Sequence, residues 1–299
     1  MMKSKIKIIA RIGVMALCAS CTDNEQVVIS ETADKGLFDE TISHDNLQRE
    51  YLLYVPETYT GNEPLPLVFS LHGAGGTKEG QYGLSQFHLL AERENFMLVT
   101  PQATSIIGNM TFWNQQNDPN RADDVGFIDA LIDEVASRYT IDLERVYLAG
   151  SSNGAFMALE ITCQLSQKIA ATAAVKGYML PDQVNKCNPT TPTAIIQMHG
   201  TEDPLVPYGG VATTLQFWAE TNQTAPQPMV SNLPDTDQDN GNTVVSYLYN
   251  NGINGVEIEH LEVIGGGHDW FGEPGTNYDI NASEKAWEFF NRFDSNGLR

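Results

Sequence analysis

From residue 50 onward the chain alternates short, continuously apolar runs with stretches whose apolar positions recur every three or four residues. Glu50–Val55 is strand-like and stops at Pro56, and Leu65–Leu71 has the composition of a strand buried on both faces. Phe96–Thr100 is a further strand, halted by Pro101. Asp124 is placed to cap a helix through Ser137, with Phe127, Leu131, Ile132 and Val135 on one face. Arg145–Ala149 then predicts a strand and Gly154–Ile161 a helix, followed by apolar runs at Ala171–Val175 and Thr193–Met198. Tyr208–Ala219 reads as helix, Val244–Tyr249 and Val256–Val263 as strands, and Asn281 as the cap of a closing helix through Phe290. Strands separated by helices along the whole body predict one α/β domain, residues 36–299, built on a mostly parallel sheet.

The first 20 residues have a different pattern. Lys3, Lys5, Lys7 and Arg11 precede the apolar run Ile12–Cys18, with no acidic residue among them. A run this short cannot cross a bilayer core of about 30 Å as a helix, so residues 1–20 are expected to be an export signal. Ala19-Ser20-Cys21 resembles the end of a bacterial lipoprotein signal, which implies lipidation of Cys21 and a cell-envelope location; ordinary secretion or periplasmic release is the alternative. Residues 21–35 are polar and acidic and read as a tether.

Composition narrows the partners. The chain is 41% hydrophobic, enough for a sizeable core, and its formal net charge is −21. So acidic a body repels phosphate backbones, which excludes nucleic acid as a natural partner. Outside the leader the cysteines are Cys163 and Cys187. In an oxidising compartment they are expected to form a disulfide, the alternative being two buried thiols. Neither lies in a zinc-ligand spacing.

The sharpest chemical motif is Gly150-Ser-Ser-Asn-Gly154, between a predicted strand and a predicted helix. A strand-to-helix turn of this kind lifts its central serine, Ser152, above the sheet at a helix N-terminus. The plain alternative is a Gly-rich helix entry capped by serine. A serine nucleophile needs a base held by an acid, and in this kind of fold both follow the serine in sequence. Of the histidines after residue 152, His268 lies on a loop behind Gly265-Gly-Gly267, whereas His260 is within a strand run and His199 precedes the best acid. That acid is Asp203, before Pro204 and favoured over Glu202 and Asp269. A solvated loop histidine and a turn-forming aspartate are the alternatives.

His72-Gly-Ala-Gly-Gly76 follows a central strand and offers bare backbone to a ligand. An oxyanion hole is expected from the N–H of Asn153 and one of this loop, Ala74 being favoured. A phosphate-binding loop is excluded, because Gly76-Thr77-Lys78 reverses the required order. Asp235, Asp237 and Asp239 imitate the start of a calcium loop, but Asn240 and Ser246 occupy the positions that need Gly and Glu, so the segment reads as an acidic surface loop. Trp113 and Trp270 are either core aromatics or substrate-binding walls. No metal or organic cofactor is expected.

The chain resembles the secreted polyhydroxybutyrate-depolymerase-like and feruloyl-esterase-like branch of the α/β-hydrolases. The likeness covers about residues 36–292 and rests on several segments together: HGAGG at 72–76, Phe112-Trp-Asn114, Asp123-Asp-Val-Gly-Phe-Ile128, Arg145–Gly154, HGTEDPLVPYGG at 199–210, LPDTDQDNGNTV at 233–244 and GGGHDW at 265–270. It implies an α/β-hydrolase fold, a Ser152–Asp203–His268 triad, a Cys163–Cys187 bridge, and hydrolysis of short-acyl, hydroxycinnamoyl or hydroxyalkanoate esters. Ser151 and Ala155 replace the commoner Met and Gly around the nucleophile, which leaves the substrate open. A serine peptidase on the same fold and a non-catalytic carbohydrate-binding or adhesion lipoprotein are the competing readings.

Overall fold

The computed structural model describes residues 34–299; the expected signal, Cys21 and all but the last two residues of the tether lie outside them. In chain order the elements are β1 (Gly36–His44), β2 (Leu47–Val55), β3 (Leu65–Leu71), α1 (Lys78–Ser85), α2 (Phe87–Glu94), β4 (Met97–Pro101), β5 (Ser105–Ile107) and β6 (Met110–Phe112). They continue with α3 (Asp124–Arg138), β7 (Ile141–Ser151), α4 (Asn153–Gln164), β8 (Ala171–Val175), α5 (Pro181–Lys186), β9 (Ala194–Gly200) and α6 (Val211–Asn222). The chain closes with β10 (Met229–Asn232), β11 (Thr243–Tyr249), β12 (Ile258–Ile264), α7 (Ala282–Phe290), β13 (Phe293–Asp294) and β14 (Gly297–Leu298).

Ten strands form one sheet in the order β1-β2-β4-β3-β7-β8-β9-β12-β11-β10. The run from β4 to β12 is parallel throughout, and antiparallel strands extend it at both edges. Every residue of β3, β4, β8 and β9 is buried, because helices cover both faces; these strands therefore read as continuous apolar runs. Side chains still alternate. Val68, Tyr147, Ala149 and Ile196 pack with Phe87 of α2 and Trp287 of α7, while Leu67, Phe69, Val146 and Leu148 pack with Phe127 of α3 and Met157 of α4. A separate cluster joins Leu159 of α4 to Leu215 and Trp218 of α6.

Several boundaries differ from the sequence expectation for physical reasons. The cap of α3 is Asp123, whose carboxylate accepts the Gly126 N–H at 2.9 Å. Asp124 is the first helical residue, and its side chain turns inward to Arg49. Helix α1 leaves little trace in the hydrophobic pattern because the residues it buries are Lys78, Gln81 and Ser85, whereas the short α2 buries Phe87, Leu90 and Ala91.

The α4–α5 region is stapled by a Cys163–Cys187 disulfide with a Cα–Cα distance of 5.5 Å, inside the normal range. The bridged cysteines are 24 residues apart, so loop-closure entropy assigns the bond about 3.5 kcal/mol. The Cys163→Ser/Cys187→Ser double variant is expected to lose about that much in denaturant unfolding. A loss below about 0.5 kcal/mol would show that the bridge constrains little.

Candidate active site

The carboxyl ends of the parallel strands carry all the candidate residues on one edge of the sheet: His72–Gly76 after β3, Ser152 after β7, Asp203 after β9 and His268 after β12. Ser152 is the hinge between β7 and α4, with φ 53° and ψ −117°. This is a strained conformation for a side-chain-bearing residue, costing about 1–3 kcal/mol. It persists because its surroundings fix it. The Ser152 N–H donates to Val175 O at 2.9 Å, and Ser152 O accepts from Ala155 and Phe156. The flanking glycines are needed for close packing: a Cβ on Gly150 would strike the Gly154 carbonyl, and one on Gly154 the carbonyls of Leu71 and His72. Ser152 remains partly exposed at the α4 N-terminus, whereas neighbouring Ser151 is buried.

The glycine-rich loop lies against this turn, since a Cβ on Gly73 would sit 3.4 Å from that of Ser152. His72 fixes the loop's entry. Its Nδ1 pairs with Gly73 O at 2.7 Å, while Nε2 faces the Ala103 N–H at 3.1 Å and the Gln102 amide at 3.0 Å. An acceptor at Nε2 requires the neutral ring with its proton on Nδ1, and burial pushes the His72 pKa down accordingly. The Gly75 N–H donates to Thr111 O and that of Gly76 to Gly73 O. The Ala74 N–H has no acceptor among the described residues, and that of Asn153 opens α4, where no intrahelical acceptor exists. Both amides are available to a ligand.

Trp113 and Trp270 both pack in the core, the first of the two readings that the sequence left open. Trp113 is 0% exposed; its backbone N–H donates to Asn153 Oδ1 at 2.7 Å and its indole N–H to His72 O at 2.8 Å. It thereby ties the glycine-rich loop to the serine turn. Trp270 is 1% exposed, packs edge-on against Phe87 and donates to Ser283 Oγ at 3.0 Å. Each indole N–H is satisfied inside the fold, which is how a buried tryptophan avoids an unpaired donor.

Beneath Trp113 lies a network that sequence reasoning missed. Arg49 Nη2 donates to Asp124 Oδ1 at 2.6 Å, and Asp124 Oδ2 accepts the Asn114 N–H at 2.7 Å. The Asn114 amide then holds the 114–122 loop through Asp118 O and Ala122 O. Arg49 and Asp124 are 75 residues apart in sequence, so only the fold reveals the pair.

On the other side of Ser152, His268 Nδ1 and Asp203 Oδ2 are 2.6 Å apart. Asp203 Oδ1 accepts the N–H groups of Leu205 and Val206, each at 2.8 Å. Burial pushes the Asp203 pKa up, but these backbone donors and His268 outweigh it and hold the carboxyl below its ordinary value. The resulting stabilisation is fully present above the unfolded aspartate value near 4 and is lost as pH falls through the depressed folded value. His199 lies beneath this pair, with Nε2 at 2.8 Å from Val206 O and 3.4 Å from Asp203 Oδ2, and burial lowers its pKa. His260 is sealed between Tyr208 and Gln197, its pKa driven down to about 4 by burial.

Lys176, at the end of β8 between the serine and histidine loops, gave no signal in the sequence. Its N–H donates to Met198 O and its Nζ to His268 O at 3.2 Å, so it anchors the histidine's backbone. Burial lowers its pKa against the pull of Glu273, Asp269 and Asp203. The structure joins Asp203 to His268 directly and places no hydrogen bond between His268 and Ser152. Hydrogen bonds to a nucleophile often tighten only with substrate bound. Among the described residues no His, Cys, Asp and Glu group could hold a metal ion, and no helix is long and apolar enough to cross a membrane.

This fold and its serine turn are those of an α/β-hydrolase. The model of the phospholipase/carboxylesterase family matches residues 60–250, well over half of the chain, and the protein belongs to that family. It is 28% identical over 250 residues to the bifunctional acetylxylan esterase/xylanase XynS20E of Neocallimastix patriciarum, covering 83% of this chain and 34% of that protein. A probable feruloyl esterase C of Aspergillus niger is 25% identical over 249 residues, covering 81% of this chain and 83% of that one. Among solved structures, the acetyl xylan esterase from Aspergillus awamori superimposes with a TM-score of 0.63 at 19% identity, over 86% of this chain and 99% of that chain. The chain thus spans about a third of one relative's length and most of another's.

Proposed function

We propose that the protein is a serine carboxylic-ester hydrolase using Ser152, His268 and Asp203. The observation that carries this reading is the 2.6 Å Asp203–His268 hydrogen bond on the same sheet edge as the strained, partly exposed Ser152. His268 takes the Ser152 proton as Oγ attacks the ester carbonyl, and Asp203 stabilises the resulting imidazolium. The N–H groups of Ala74 and Asn153 receive the oxyanion, each lowering the barrier by roughly 3 kcal/mol. His268 returns the proton to the departing alcohol, then activates the water that clears the acyl-enzyme.

Relatives named as acetylxylan and feruloyl esterases favour acetyl or hydroxycinnamoyl esters over a peptide substrate, and short hydroxyalkanoate esters belong to the same chemistry. An ordered acid–base pair beside a strained serine argues against a binding module, for which the strain would serve nothing. Export with a lipid anchor at Cys21 completes the reading; the mass of the mature N-terminal peptide, acylated or free, tests it.

The function is tested by turnover of p-nitrophenyl butyrate, methyl ferulate, acetylated xylan and a peptide anilide. Hydrolysis of the anilide in preference to every ester would replace the reading with a peptidase. Asp203→Asn is expected to lower kcat about 10⁴-fold, because the amide presents its donor to Nδ1 or selects the wrong tautomer. Loss of less than about tenfold would remove Asp203 from the mechanism.

A further inference from the structure

With both tryptophans buried, the apolar surface beside the serine comes from elsewhere. Hairpin β5–β6 rests directly on the glycine-rich loop. Thr111 O accepts the Gly75 N–H at 2.8 Å, and Thr111 Oγ1 donates to Gly76 O at 3.0 Å. Met110 covers Gly75, where a Cβ would meet its side chain at 3.4 Å. Just after β6, Trp113 bonds to His72 O and Asn153 Oδ1, so the hairpin's base is tied to both segments that carry the proposed oxyanion donors.

The tip is unlike its base. Ile107 is 41% exposed and Met110 50%; they are paired directly across the hairpin and so share one face, whereas Ile106, 63% exposed, pairs with Thr111 on the opposite face. Such a pair gains nothing in the free protein, since it leaves two apolar side chains in water. It does lie at the site. A Cβ on Gly73 would lie 3.4 Å from that of Ser152, and Gly75, beneath Met110, is two residues further along the loop, at most about 7 Å from Gly73.

We infer that hairpin β5–β6 is the specificity element of the site, with Ile107 and Met110 holding the non-reacting apolar arm of the ester. This rests on the reading of Ser152 as nucleophile. The substrate class is an ester whose alkyl chain or aryl-propenoyl group extends past the glycine-rich loop; an acetyl ester is too short to reach it. Burial of the arm against the hairpin removes apolar surface of both from water, and that gain is available only to long or aromatic esters.

The test compares kcat/KM for p-nitrophenyl octanoate and p-nitrophenyl acetate in the full chain. In the double variant Ile107→Ser/Met110→Ser the octanoate-to-acetate ratio is expected to fall at least about tenfold, mainly through the octanoate KM. The single variant Ile107→Ser should lower it about threefold and serves if the double variant folds poorly. Val230→Ser, on exposed edge strand β10, controls for general surface stickiness and should leave the ratio as in the parent. An unchanged ratio in the hairpin variants, an equal fall in Val230→Ser, or a parent enzyme that cleaves acetate but not octanoate overturns the inference. Octanoate and acetate hydrolysis surviving in Ser152→Ala overturns the nucleophile reading instead, so the two failures are distinguishable.

Discussion

Ser152→Ala should lower kcat for p-nitrophenyl butyrate by about 10⁶-fold while leaving the protein as stable as its parent. The first number follows from losing the proposed nucleophile in a unit whose members act together. The second follows from the structure, where the Ser152 side chain is partly exposed and its turn is held by backbone bonds to Val175, Ala155 and Phe156 that alanine keeps. A stability change within about 0.5 kcal/mol is therefore expected in urea unfolding. Ser151 provides the internal comparison, being adjacent in sequence but buried within β7. If Ser152→Ala retains more than about 1% of parental kcat while Ser151→Ala does not, the nucleophile has been assigned to the wrong serine.

Asp124→Ala is expected to destabilise the fold by about 3–5 kcal/mol, the range for breaking a buried ion pair from one side. Arg49 is 0% exposed, and its guanidinium stacks 3.8 Å from the Phe127 ring centre. Its Nε and Nη1 already have no partner, so Asp124 and a 3.3 Å contact to Gln102 O are what satisfy it. Removing the carboxylate strands a buried cation and frees the Asn114 N–H together. Because Asn114 directly follows Trp113, which is tied to His72 and Asn153, surviving folded protein should also lose kcat for small esters. Urea unfolding with a loss under about 1 kcal/mol would show that the pair contributes little beyond its own desolvation.

The central strands were legible because helices cover both faces of the sheet, turning each strand into an unbroken apolar run. Edge strand β1 was not, since its residues alternate between exposed and half-buried and leave little apolar signal. The strand–helix junction at Ser152 was legible from its glycine spacing, and the loop positions of Asp203 and His268 from the strand-like runs before them. Burial of Trp113 and Trp270 was not legible, because an indole looks the same in sequence whether its N–H meets a backbone carbonyl, a serine or a ligand. The Arg49–Asp124 pair and Lys176 share this difficulty: their partners are set by strand order, which no local pattern encodes. Likewise, Ile106 and Met110 look like ordinary core residues until the hairpin is seen to point outward.

The backbone at Ser152 also sets stability against activity. A glycine there would adopt φ 53° with little penalty, and relief of about 1–3 kcal/mol is sizeable beside the 5–15 kcal/mol that typically separates a folded domain from its unfolded chain. The variant that would most ease this turn is thus also one that removes the hydroxyl proposed to react. Improvement of the protein for heat tolerance alone would drift toward that form, so under the proposed mechanism any stability selection applied to it needs an activity screen at the same step.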